Sequence, residues 1–338
     1  MQEVAGRVLE FPAGGETVAR RGENGDAGPS MRFPADMLYR GARLYYEEDR
    51  NQQEISELLG ISRATVSRLL AEARACGVVH IEVRDPAAGE LESLAAALKD
   101  HLGLRRVVVT PNVLGALPGA VLAPAVTKLL EEAQLHAGDA LLVSSGATML
   151  GLAHEQLVPL PGVFVAPTVG GMDEPEEFYQ TNEITRLLAV NAGATPVLLH
   201  APVQPAEALY ELLQEDPGVK RVTELWRQAK CALLGIGQPP RVRSSLPMVM
   251  KRAIADLRTA EGDISNRTFD EHGAQVPYAG SERVISMQLA DLLRVPHAIG
   301  VAVGTSKTKG ITAAARAGYI NRLVTDSATA HAILEPGK

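Results

Sequence analysis

The sequence predicts two joined folds: an N-terminal winged helix-turn-helix, all-α with a small wing, and an α/β doubly wound effector domain. Three observations predict this. Two helix-start signals, Asn51 and Ser62, stand eleven residues apart with Gly60 between them. From residue 105 on, short continuous apolar runs recur at intervals of roughly thirty residues and alternate with helical stretches, the pattern of a parallel sheet buried on both faces. The 338 residues are too many for one ordinary core, so two domains are expected.

Asn51 and Glu54 have capping-box spacing and open a short helix over about 52–59,. Gly60 ends it, because a tight exit needs left-handed backbone,. Ser62 caps a second helix that runs to about Ala75, and Gly77 stops it,. Upstream, Met37, Leu38, Ala42, Leu44 and Tyr45 predict an amphipathic helix over about 35–48,. Ile55, Leu58, Leu59, Ile61, Val66, Leu69, Leu70 and Ala73 are expected to form one buried seam. A three-helix unit with a tight turn is a helix-turn-helix. The spacing is specific: Ser56 lies four before Gly60, Val66 six after it and Leu69 nine after it. Those are the places for a small contact, a turn glycine and two core aliphatics.

The second helix then presents Ser62, Arg63, Thr65, Ser67 and Arg68, and the first opens with Gln52 and Gln53. These seven are the candidate DNA-binding residues. A recognition helix aims its N-terminal residues at base edges, arginine pairs bidentately with guanine, and hydroxyls bond phosphates or bases. Val79, Ile81 and Val83 alternate with polar residues and predict a short wing strand,. The alternative is a helical hairpin used only for packing or dimerisation.

Composition narrows the rest. Formal net charge is −7, which argues against nucleic-acid binding by bulk charge,. Phe33–Arg84 holds seven basic and eight acidic residues, but Ser62–Cys76 holds three Arg against one Glu. DNA affinity must therefore come from a focused patch, doubled by a dimer or tetramer. Cys76 and Cys231 have no metal-ligand spacing and suit a reducing cytoplasm,. No apolar run approaches a membrane span,, and no cofactor is implied. Residues 1–32 read as a flexible tail, with Met31 an alternative start. The expected organisation is this tail, a DNA-binding domain over 33–86, a linking helix over 87–104 and an effector domain over 105–338.

In that last domain, strands are expected at 106–110, 140–144, 163–167, 196–200, 231–237, 298–304 and 323–325. Helices are expected at 119–134, 182–192, 205–214, 219–229, 247–259 and 308–317. Ligands of such sheets sit beyond the carboxyl ends of the strands. The exits read "SSGAT" (144–148), "TVGGM" (168–172), "GIGQ" (235–238) and "GTSK" (304–307). Each glycine alone is ordinary turn chemistry, but four such loops converging suit an anionic, hydroxyl-rich ligand. Lys307 is either its charge partner or a solvated helix-start lysine. Asp263 and Asp270 are either acceptors for ligand hydroxyls or turn aspartates, and Asn182 is a helix cap, a ligand contact or both.

Together "ARLYYEE", "NQQEISELLGISRATVSRLLAEARACGVVHIEV", "GDALLVSSGATM", "PTVGGM", "GIGQP", "EGDISNRTFDEHG", "VAVGTSKTKGI" and "LVTDSAT" resemble the SorC family of sugar-binding transcriptional regulators, over about residues 35–336. The resemblance implies an effector domain with the fold of ribose-5-phosphate isomerase and glucosamine-6-phosphate deaminase. It implies a phosphorylated sugar as inducer of a tetrameric repressor of carbohydrate-metabolism genes. Carried onto this chain, effector contacts fall on Ser145, Gly146, Thr148, Gly170, Gly171, Asn182, Gly235, Gly237, Asp263 and Lys307. The chain departs from the family at Ala147, where the exit commonly carries arginine, and it has no lysine in 164–173. The competing expectation is an isomerase- or deaminase-type enzyme with a fused helical module, with Asp263, Asp270 and His272 for acid–base work.

Overall fold

The computed structural model describes residues 32–79, 88–113 and 118–335, and the chain forms two compact units, residues 1–84 and 85–338. The first holds α1 (Ala35–Tyr46), α2 (Gln52–Leu59) and α3 (Arg63–Ala75). Asn51 Oδ1 accepts from the N–H groups of Gln53 and Glu54, and Glu54 returns a carboxylate to the Asn51 N–H. That capping box closes the start of α2. Gly60 follows in the left-handed region at φ 66°. Ser56 fastens the turn, its carbonyl accepting from the Ile61 N–H and its hydroxyl donating back to the Ile61 carbonyl. Ser62 caps α3 by accepting from the Thr65 N–H.

Leu38, Ala42, Ile55, Val66, Leu69, Leu70 and Ala73 form the buried seam between these helices. Leu58, expected in that seam, is 54% exposed. Leu59, four residues after buried Ile55, is the α2 residue that packs against the seam instead. The expected tail, apart from Arg32, and the expected wing strand beyond Val79 lie outside the described residues.

The second unit runs α4 (Ala88–Leu102), β1 (Arg106–Thr110), α5 (Gly119–Ala133), β2 (Ala140–Val143), α6 (Ala147–Ala153), β3 (Phe164–Pro167), α7 (Thr181–Asn191), β4 (Thr195–Pro196), α8 (Glu207–Glu215), α9 (Pro217–Gln228) and β5 (Cys231–Gly235). It continues with α10 (Met248–Lys251), β6 (Gly262–Ile264), β7 (Arg267–Phe269), α11 (Leu289–Leu292), β8 (His297–Val301), α12 (Thr308–Arg316), β9 (Arg322–Asp326) and α13 (Ser327–Leu334). Seven strands form one sheet in the order β1-β9-β8-β5-β2-β3-β4, every pair parallel. The strands alternate large aliphatics on both faces, so one core lies on each side of the sheet. Leu94, Leu98 and Leu102 of α4 are buried in the first of them.

The chain leaves β2 toward β3 on one side and leaves β5 toward β8 on the other, yet β2 and β5 are neighbours. Their carboxyl ends therefore diverge, and this switch point is where an open sheet leaves a crevice.

Three expected segments are built differently, and helices α6, α11 and α13 have no counterpart among the expected ones. The strand expected at 196–200 shortens to Thr195–Pro196, because Asn182 of α7 takes over the next backbone groups: its Oδ1 accepts from the Leu199 N–H and its Nδ2 donates to the Leu199 carbonyl, both at 3.0 Å. The helix expected over 247–259 stops at Lys251. Beyond it Ala253, Asp256, Leu257 and Ala260 each bond three residues back, a tighter winding,. The segment 260–273 contains the buried antiparallel hairpin β6–β7. Its two-residue turn places Ser265 and Asn266 at φ 53° and 62°, the mirror-image turn that hairpins favour. Three-residue strands are too short to register as a period.

Candidate DNA interface and effector cavity

On the N-terminal unit five of the seven candidate DNA-binding residues line two hollows, and Ser62 and Ser67 line neither. Gln52, Gln53 and Arg63 line an open cleft with Tyr45, Tyr46 and Arg50. Thr65 and Arg68 line a second hollow with Arg32 and Phe33. Ser62, Arg63, Ser67 and Arg68 are exposed. Arg68 lies back along its own helix, Nη2 3.4 Å from the Thr65 hydroxyl and Nε 3.4 Å from the Ala64 carbonyl. Those are weak contacts that a phosphate or a guanine edge outcompetes. Glu72 holds the entering chain, its Oε1 accepting from the Arg32 and Phe33 N–H groups.

The α/β unit carries a cavity of about 220 Å³ at the switch point. The β2 exit contributes Ser145, Gly146, Ala147 and Thr148, the β5 exit Gly235, Ile236, Gly237 and Gln238, and the β8 exit Lys307. The hairpin supplies Asp263 from β6 and Ser265 and Asn266 from its turn, and the loop after β5 supplies Arg243, Ser244 and Ser245. Gly146 turns at φ 123° into α6, whose first turn has no side-chain cap. That leaves backbone N–H groups of the kind that receive anions.

The charges in this cavity are Arg243, Lys307 and Asp263. Arg243 Nη1 donates to Asp263 Oδ1 at 3.0 Å in a largely buried pair. Lys307 Nζ has no hydrogen-bond partner among the described residues. Burial, then the nearby Arg243 charge, pull its pKa down from 10.5 to about 8, against a smaller opposing pull from Asp263. Hydroxyls complete the wall: Ser265 pairs with Thr168 at 2.6 Å and Ser245 with the Tyr179 phenol at 3.0 Å. Burial raises the Tyr179 pKa, so it stays a neutral donor or acceptor.

Of the ten candidate effector residues, the fold gathers seven: Ser145, Gly146, Thr148, Gly235, Gly237, Asp263 and Lys307. Gly170, Gly171 and Asn182 are placed elsewhere. Gly170 and Gly171 donate to the carbonyls of Ile285 and Ala201, and a β-carbon at 170 would stand 2.7 Å from the Ala201 oxygen. Gly170 serves close approach of two chain segments, whereas a β-carbon at 171 would stand an ordinary 3.7 Å from the Ala201 oxygen, and Asn182 is occupied by Leu199. Asp270 is a turn residue, its Oδ1 accepting from the His272 and Ala274 N–H groups. Sequence reasoning missed Arg243, Ser245, Ser265, Asn266 and Tyr179. The basic, hydroxyl-rich run "RVRSS" (241–245) is the signal that marks the first two. Among the described residues no His/Cys/Asp/Glu group is arranged to hold a metal, and no helix is long and apolar enough to cross a membrane.

A helix-turn-helix with a cationic exposed face, followed by a parallel α/β unit with a polar cavity at its switch point, defines a ligand-responsive transcriptional regulator. Residues 87–335 match the family described as "Putative sugar-binding domain", and residues 43–76 match sigma-70 region 4. The chain is 33% identical over 302 residues to the deoxyribonucleoside regulator of Bacillus subtilis (strain 168), covering 87% of this chain and 95% of that one. It is 31% identical over 317 residues to the sorbitol operon regulator of Klebsiella pneumoniae, covering 88% and 98%. The crystal structure of full-length SorC from Klebsiella pneumoniae superposes with a TM-score of 0.71 at 30% identity, covering 89% of this chain and 98% of that one. The protein belongs to the SorC family of sugar-binding transcriptional regulators. These relatives are named as regulators and not as enzymes.

Proposed function

We propose that the protein is a cytoplasmic repressor of carbohydrate-metabolism genes, and that a phosphorylated sugar in the switch-point cavity modulates its hold on operator DNA. The observation that carries this reading is the cavity's composition. Two cationic side chains meet one carboxylate and several hydroxyls, a set suited to an anion at one end of a ligand and hydroxyls along it. The related regulators of deoxyribonucleoside and sorbitol genes support the metabolic assignment. The fold of sugar-phosphate isomerases and deaminases is the architecture we propose for the α/β unit.

In this mechanism the protein acts as a dimer or tetramer, with Arg63 and Arg68 of paired recognition helices in successive major grooves. The effector favours one arrangement of the assembly, and operator affinity changes by the difference in its affinity for the two arrangements. The enzyme reading is weaker, because Asp270 is committed to its turn and the His272 side chain is 82% exposed. The test is an electrophoretic mobility shift on DNA from the protein's own promoter region, with and without phosphorylated sugars. Effector-sensitive retardation is expected; a shift indifferent to every phosphorylated sugar tried overturns the proposal.

A further inference from the structure

Two arginines two residues apart on the loop after β5 are used in opposite ways. Arg241 is held by three hydrogen bonds: Nη1 donates to the Ala260 carbonyl at 2.9 Å, and Nη2 reaches both oxygens of Glu261 at 2.9 and 2.8 Å. Lys309 Nζ adds a second cation 3.6 Å from the Glu261 carboxylate. Arg243 makes a single hydrogen bond among the described residues, to Asp263, although a guanidinium has five N–H donors. Its side chain is 19% exposed and lines the cavity with Lys307. The loop is thus pinned at 241 and lightly held at 243, and the two carboxylate partners stand two residues apart, at 261 and 263.

We infer that Arg243 is an effector-sensing residue that exchanges partners: an anionic group of the ligand captures its guanidinium, and the released Asp263 carboxylate accepts a hydroxyl of the same ligand. This rests on the effector reading above and adds the residue that reports occupancy. The ligand class is a phosphate monoester or a carboxylate bearing hydroxyl groups. An anion displaces the carboxylate because it also meets Lys307, whose ammonium has no hydrogen-bond partner among the described residues, whereas Asp263 meets only one of the two cations in a hydrogen bond. A guanidinium binds a tetrahedral oxyanion in two-pronged fashion, a stronger geometry than its present single bond. Lys307, Asp263 and Arg243 are the ionised side chains that face one another here.

The test uses the full chain and inorganic phosphate as probe, titrated calorimetrically at pH 7 into wild type, Arg243→Gln, Asp263→Asn and the double variant. Arg243→Gln is expected to weaken phosphate about tenfold or more, and Asp263→Asn to tighten it about threefold to tenfold by freeing the guanidinium. In the Arg243→Gln background the gain from Asp263→Asn should shrink at least about threefold. A gain cannot come from misfolding, so the Asp263→Asn arm stands even where Arg243→Gln folds poorly. An equal gain in both backgrounds, or phosphate binding indifferent to Arg243→Gln, overturns the inference and leaves the regulator reading intact. Wild type that ignores phosphate while its operator complex responds only to an uncharged sugar overturns the inference together with the phosphorylated-sugar part of that reading, and leaves a sugar-responsive regulator. An operator complex indifferent to all sugars removes the reading beneath it.

Discussion

Gly237 lies directly beneath the Asp263 carboxylate: a β-carbon at 237 would stand 1.8 Å from Oδ1 and 3.1 Å from Nη1 of Arg243. The Gly237 N–H also donates to the Asp263 carbonyl at 2.9 Å. The residue is glycine because an ion pair rests on its α-carbon. Gly237→Ala is therefore expected to push the pair apart, costing about 1–3 kcal/mol of stability from overpacking, and to leave phosphate affinity undiminished, because the pair it parts is the one an anion must part. Denaturant titration and calorimetric binding on the same protein check both.

Lys307 predicts a pH dependence. Its folded pKa of about 8 lies below the ordinary 10.5, so between those values the unfolded chain binds more protons than the folded one. The penalty of holding the cation is fully present below pH 8, and stability rises with pH across the window from 8 to 10.5. Anion affinity has the opposite trend, falling as pH rises through about 8. Lys307→Met should raise the unfolding midpoint at pH 7, flatten that rise and weaken anion binding. Unfolding midpoints and anion titrations across this range measure each trend.

Asn182 separates support from ligand binding. Removing its amide strands the N–H and C=O of Leu199, a residue only 1% exposed. Asn182→Ala should cost about 2–4 kcal/mol while leaving effector affinity in the folded protein unchanged. An affinity loss without a stability loss would return Asn182 to the binding site.

The two surfaces should fail separately. Arg63→Ala and Arg68→Ala are expected to weaken operator binding by about 1–3 kcal/mol for each base edge that is no longer read and to spare effector binding. Lys307→Ala and Thr148→Val should spare effector-free operator binding and blunt the effector response. Mobility shifts paired with effector titrations distinguish the two classes. Loss of both functions in every variant would dissolve the division of labour.

The helix-turn-helix is legible in sequence because its signals act locally: Asn51, Glu54, Gly60 and Ser62 each work within a few residues of chain. The strand exits are legible because apolar runs ending in Gly146 or Gly235 need no distant partner to be recognised. Gly170 and Gly237 look alike in sequence, and only their neighbours separate them: a crossing backbone for the first, a carboxylate for the second. Arg243 is marked in sequence only by the run "RVRSS"; its role depends on Asp263, twenty residues away across a loop with no period. The β6–β7 hairpin is hidden for a related reason, since a buried turn at Ser265 and Asn266 lacks the glycine that usually betrays one.

The edge strand β1 pairs along its whole length with β9, and Thr110 donates to the Thr325 carbonyl from 215 residues away. The sheet is thus fastened by a strand that follows β1 by more than two hundred residues. A ribosome-bound chain holds β1 without its neighbour until β9 has emerged, leaving an unpaired edge exposed in the meantime. A premature stop before Arg322 would not trim a tail; it would deny the first strand its mate and leave a chain destined for chaperones or proteases.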